Sequence, residues 1–213
     1  MRPTPTAGIR RVFATTAMAI VLLYLGIDVV LQLLPPHYSV VSDAESDLAV
    51  GPYGWAMAVN FFARAVMSGC VIVVVSLSAP ASALRRLGAV LLAVAGLCSA
   101  ALVFAPTDVN PTGEFGMTPH TTIGFVHVVF ATTGFVVVLA AMTVLTVWFR
   151  TVSRRRAPAV FLVVALAGLL ALALSLAILP QIVGITERIC LAGILGWAFA
   201  LSAVLRNPQR SEG

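Results

Sequence analysis

Residues 42–64 read SDAESDLAVGPYGWAMAVNFFAR. Asp43, Glu45 and Asp47 crowd into five positions, the chain passes Gly51-Pro52 and Gly54, and an apolar run carrying Asn60 and Arg64 follows. Glycine and proline at that junction are turn formers, so an acidic loop hands over to a helix there. An arginine embedded in an apolar run is costly unless it faces a partner or a watery cavity. The stretch therefore marks both the start of a membrane span and the place where a polar site is expected.

Working outward, the whole chain shares that apolar character. Of 213 residues, 60% are hydrophobic and 10% charged, with a mean hydropathy of +1.04. Soluble domains carry roughly 25% charged residues, so a soluble fold is excluded. Apolar runs fall at 12–34, 55–79, 87–105, 120–149, 159–179 and 186–205, near the roughly 20 residues that cross a bilayer as a helix. The expected fold is an all-α polytopic membrane protein, one six-helix bundle between a polar segment 1–11 and a polar tail 206–213. The first run is longer than the roughly 7–15 apolar residues of a signal peptide and exits into Pro35-Pro36, so it reads as a retained span.

Orientation follows from the basic residues, all thirteen of which are arginine. Arg2, Arg10 and Arg11, then Arg85 and Arg86, then Arg150, Arg154, Arg155 and Arg156, and finally Arg206 and Arg210 all fall on one side of a six-span layout. The positive-inside bias places that side, with both termini, in the cytoplasm and the protein in the cell membrane. Asp43, Glu45, Asp47, Asp108 and Glu114 fall in the opposite, outer loops, and Glu212 lies inside. Arginine clusters between apolar runs fit topology signals better than a nucleic-acid surface, so no nucleic-acid partner is expected.

Small residues at Ala89, Ala93, Gly96 and Ala100, and at Ala192, Gly196 and Ala200, form ladders that suit close helix packing. Cys70, Cys98 and Cys190 each lie inside an apolar run and behave as small hydrophobes. Ser175 is expected to bond back to its own helix.

The embedded polar residues carry the functional reading. Arg64 sits about nine positions into the second span, on the order of 13 Å deep at about 1.5 Å per residue, with Asn60 one turn above it. Asp28 lies at comparable depth near the outer end of the first span, with Tyr24 one turn deeper, and is the natural partner for Arg64. His120 and His127 share a face two turns apart. Asp108 lies in the loop that leaves the third span, and Glu187 and Arg188 open the last span. Ligand-binding candidates are thus Asp28, Asn60, Arg64, Asp108, His120, His127, Glu187 and Arg188, beneath an outer loop containing Ser42, Asp43, Ser46 and Asp47. Zinc on His120, His127 and Asp108 is a weaker candidate, because a two-turn spacing is wide for one ion. No cofactor is otherwise expected, and no GxSxG elbow, phosphate loop or dinucleotide fingerprint occurs.

The segments YSVVSDAESDLAVGPYGWAMAVNF, FAPTD followed by His120, and TERI followed by Trp197 resemble the bacterial six-span membrane proteins of the domain-of-unknown-function 998 family. Ala49 stands where that pattern has glycine after Ser-Asp-Leu. The layout is fainter in its similarity to the Frag1/DRAM/Sfk1 group, which points toward a lipid-related role. The resemblance implies six helices and a membrane address and lends no activity. The expected function is a non-catalytic membrane protein with an outward-facing polar cavity for a lipid headgroup or small polar ligand. The alternatives are an intramembrane metal-dependent hydrolase and a proton- or ion-coupled transporter.

Overall fold

The computed structural model describes residues 5–78, 81–111 and 113–207. Six long helices account for most of it: α1 (Pro5–Leu33), α2 (Gly54–Ser76), α3 (Ala83–Leu102), α4 (Thr122–Val152), α5 (Ala157–Ile178) and α6 (Val183–Arg206). Single 3-10 turns occupy Glu45–Ala49 and Pro180–Ile182, and no strand occurs among the described residues. All six helices are long and apolar enough to cross a membrane. Arg2, Arg210, Glu212 and the expected end of the second span at Ala79 lie outside the described residues.

Local signals explain the helix ends. Ser82 accepts the N–H of Arg85 and Thr121 accepts the N–H of Gly124, each capping the helix that follows. Pro35, Pro106 and Pro180 stand just beyond the ends of α1, α3 and α5, where proline cannot continue a helix. Several helices overrun their apolar runs: α1 begins at Pro5 and takes in Arg10 and Arg11, α3 begins at Ala83 and takes in Arg85 and Arg86, and α4 continues past Arg150 to Val152. Hydropathy marks the apolar slab, whereas a helix stops only where its backbone hydrogen bonding is interrupted.

Neighbouring helices pack in the order α5, α6, α1, α2, α3, α4, and α4 touches α5 and α6 only sparsely. The loops α1–α2, α3–α4 and α5–α6 lie at one end, called here the acidic end. The α2–α3 and α4–α5 loops lie at the other, the arginine end. Tyr24, Met57, Met142, Leu145, Phe149 and Trp197 fill the centre, while Leu22, Leu97, Phe104 and Leu170 face outward, as suits a hydrocarbon surround. Near the arginine end Trp197 donates its indole N–H to Thr146 Oγ1 at 2.9 Å, tying α6 to α4.

Close approach uses part of the expected ladders, with Gly96 of α3 against Ser68 of α2 and Gly196 of α6 against the Phe161 ring of α5, and adds glycines outside them. On α6 Gly193 is pressed against the Ala165 backbone of α5, and on α5 Gly168 meets the Cys190 backbone, whereas Ala192 and Ala93 are exposed. On α3, Gly88 receives the Leu145 side chain of α4. Many small residues could serve as a seam, and the neighbour's direction chooses among them. Gly168→Val should lower bundle stability by about 1–3 kcal/mol, the range for overpacking, read as earlier thermal unfolding in detergent. Gly26→Ala, with nothing within 4 Å of the added methyl, should leave the transition in place.

Candidate functional site

The site is assembled where the α1–α2 loop folds down onto α1 and α6. Asp43, Ser42 and Asp47 shape that loop. Asp43 Oδ2 accepts the N–H of Ser39 at 2.8 Å, Ser42 Oγ donates to Asp43 Oδ1 at 2.8 Å, and Asp47 Oδ2 accepts the N–H of Ala44 at 3.1 Å. Arg188 Nη1 donates to the carbonyls of Val40, Asp43 and Gly184 at 3.2, 2.9 and 3.1 Å, and the N–H of Ile185 donates to Val41 O at 3.1 Å. A side chain at Gly184 would strike the carbonyls of Asp43 and Val40, so glycine permits the loop to lie against α6.

This arrangement drives Glu45 inward. Its side chain is 2% exposed. Tyr24 Oη of α1 donates to Glu45 Oε1 at 2.7 Å, and the Glu45 N–H donates to Glu187 Oε2 of α6 at 2.7 Å. Glu45 Oε2 has no hydrogen-bond partner among the described residues. Burial, reinforced by the carboxylates of Asp28 and Glu187, pushes the Glu45 carboxyl up to about 8, against the pull of the Tyr24 hydrogen bond and the Arg64 charge. Asp47 is pushed up to about 7 by burial and by Glu187 and Asp43.

Arg64 of α2 lies near this carboxylate, and its guanidinium makes no ion pair or hydrogen bond among the described residues. It stands over the rings of Tyr24 at 5.8 Å and Phe61 at 5.3 Å from the centroids, with Nε buried and unpartnered. Two rings hold the cation by its attraction to their π faces. The expected pairing with Asp28 is not formed. Asp28 lies a turn nearer the acidic end, within electrostatic reach of Arg188 and Glu45, because α1 packs between α2 and α6 and turns this position toward α6. Asn60 is fully buried and serves the α1–α2 contact, its Nδ2 donating to Tyr24 O at 3.2 Å.

Below the loop a cavity of about 60 Å³ is lined by Glu45, Ser46, Arg64, Ser68, Ser99, His127 and Glu187, with apolar side chains of α2, α4 and α6 completing it. The half-buried stripe Phe130, Gly134, Phe135 and Val138 of α4 forms one wall, on the side where α4 and α6 barely touch. His127 is buried, with Nδ1 2.7 Å from Ala105 O and its ring 6.1 Å from that of Phe61.

The two histidines do not meet. His120 is exposed and precedes α4, and its backbone N–H donates to Asp108 Oδ2 at 2.7 Å. Asp108 also accepts from the backbone and hydroxyl of Thr121, and it lies tight against Gly124. These hydrogen bonds, the Thr121 backbone first, hold its carboxyl below the usual range. Asp108 thus anchors the start of α4, and no group of three His, Cys, Asp or Glu among the described residues is arranged to hold a metal ion. Ser175 donates to Leu172 O at 2.8 Å and shares a hydrogen bond with Thr186 at 2.9 Å.

Of the residues singled out from the sequence, Arg64, His127, Glu187 and Ser46 converge on the cavity. Asp28, Asn60 and Arg188 brace its surroundings, Ser42, Asp43 and Asp47 build the loop, and Asp108 and His120 stand apart. Glu45, Ser68 and Ser99 were not among them. A signal for Glu45 existed: Leu48 follows it by three positions, one turn of a 3-10 helix, and both are buried.

The fold and the embedded polar groups define a multi-pass integral membrane protein. Its chain belongs to the family described as "Protein of unknown function (DUF998)", whose model matches residues 18–204. No curated protein and no solved structure matches it.

The raised carboxyl of Glu45 sets a pH dependence. The folded loop holds this proton more tightly than the unfolded chain does, so its stabilising contribution is full below about pH 4.5 and is lost as pH rises through about 8. Hydrogen-exchange protection of the amides of residues 44–48, corrected for intrinsic rates, should fall between pH 6 and 9. Glu45→Gln, which keeps an acceptor for Tyr24 and cannot ionise, should flatten that fall.

Proposed function

We propose that this protein is a non-catalytic binding protein of the cell membrane, with its acidic end outward, whose cavity takes the anionic group of a lipid headgroup or a small polar ligand. The observation that carries the reading is Arg64: a cation held between two aromatic rings, lining a cavity and without a counter-ion among the described residues. A guanidinium so placed is suited to a phosphate or carboxylate, which takes two parallel hydrogen bonds from it. Ser68 and Ser99 add hydroxyls nearby, and Glu45, whose carboxyl is pushed up to about 8, repels an anion less than an ordinary carboxylate would.

Cavity size supports a partial fit. At about 10–15 Å³ per water-sized group on this measure, 60 Å³ holds an anionic group but not a whole lipid. A lipid would leave its chain outside, along Phe130, Phe135 and Val138 of α4. Loop, Arg188 and Asp28 then act as the structure that keeps Glu45 and Glu187 in place.

Arg64→Gln removes the charge and its fork. Retention of phospholipid on purified protein, read by mass spectrometry, should drop about 10- to 100-fold, the equivalent of about 1.5–3 kcal/mol for a charged hydrogen bond. Arg64→Lys should recover part of it. Unchanged lipid retention in a folded Arg64→Gln protein would sink the reading.

A further inference from the structure

A second cavity lies at the arginine end, remote from Arg64. Arg150, Arg154, Arg155 and Arg156 place four cations within seven residues of the α4–α5 connection, and all four are exposed. They line a cavity of about 540 Å³ whose far wall is Val160 and Val163 of α5. The volume falls within the roughly 300–1,000 Å³ of ligand pockets. It exists because α4 and α5, joined by a short connection, make little contact with each other.

No acidic side chain of the described residues lies at this end. Of the eight carboxylates, Asp28, Asp43, Glu45, Asp47, Asp108, Glu114 and Glu187 all belong to the acidic end, and Glu212 lies outside the described residues. The mouth of the cavity is therefore strongly cationic. Its wall is not: Val160 is 57% and Val163 65% exposed, and Val163 lies six residues into α5, about 9 Å along its axis. A free phosphate would use only the mouth. A molecule with an anionic head and a hydrocarbon body matches both parts, since basic pockets between helices at the arginine-rich side of a membrane bind anionic headgroups.

We propose that this cavity is a binding site for an anionic phospholipid, its phosphate on Arg150, Arg154 and Arg156 and its acyl chain against Val160 and Val163. Arginine's planar fork suits the two free oxygens of a phosphodiester, and α5 begins at the same mouth with no side-chain cap on its first turn, which adds a weak anion preference. The site is independent of the reading given for Arg64.

The test uses full-length protein stripped of lipid in detergent, with and without the Arg64→Gln change so that the acidic-end cavity is accounted for. Phosphatidylglycerol, phosphatidylcholine and inorganic phosphate are added separately, and bound lipid is counted by native mass spectrometry alongside the melting temperature. Phosphatidylglycerol should bind at least 10-fold more tightly than phosphatidylcholine in both backgrounds and raise the melting temperature, and millimolar phosphate should not reproduce the shift. Two variants locate the effect. Arg154→Gln with Arg156→Gln should lose at least 10-fold in binding, and Val163→Trp, which fills the cavity while leaving every arginine and hence the insertion signal intact, should do the same. Equal binding of the two lipids, an equal shift with phosphate alone, or unaltered binding in a folded Val163→Trp protein would overturn the proposal.

Discussion

Glu45 is the group on which the acidic end depends. A carboxyl at 2% exposure beside two other carboxylates is unfavourable as an ion, and the fold answers in two ways: Tyr24 donates to it, and its own N–H is given to Glu187. Those hydrogen bonds join α1, the 3-10 turn and α6, three segments far apart in the chain. The seam between Gly184 and the loop carbonyls, and the fan of bonds from Arg188, follow from the need to bring Glu45 to that depth. A buried polar group without such partners costs on the order of a few kcal/mol, which is comparable to a large part of a domain's net stability.

Arg64 illustrates the opposite solution. Its cost is lowered by ring faces and by a cavity open to water-sized groups, with no carboxylate drawn into contact. Had it closed on Asp28, the two would have formed a lock between α1 and α2, and that role falls instead to neutral Asn60.

The two ends of the bundle thus divide the charge. At the acidic end Glu45 and Glu187 are turned inward and hydrogen-bonded. At the arginine end cations stay exposed at the rim of a gap between α4 and α5. Between them Met142 and Leu145 of α4 are fully buried and line neither cavity, so the two cavities are separate places.

The six helices were legible because a bilayer demands long apolar runs with satisfied backbones, and proline and arginine punctuate those runs. The polar centre of α2 was legible for the same reason: Arg64 and Asn60 are conspicuous where every neighbour is apolar. What stayed hidden depends on direction rather than composition. Counting positions puts Asp28 and Arg64 at comparable depth, yet Arg64 stands over Tyr24, a turn below Asp28, and the placing of α1 between α2 and α6 brings Asp28 within reach of Arg188. Asp43, Glu45 and Asp47 look alike in an acidic run, and only the closure of the loop onto α6 makes one buried and leaves the others shaping turns. His120 and His127 share a helical spacing, but α4 begins at Thr122, so one is outside the helix and the other in the cavity wall. Sequence alone determined the membrane-spanning class, the number of helices and which residues are out of place in an apolar run, because these are set by local hydropathy and backbone chemistry. Tertiary structure alone decided who meets whom, because partner choice depends on helix order and rotation, which no single segment encodes.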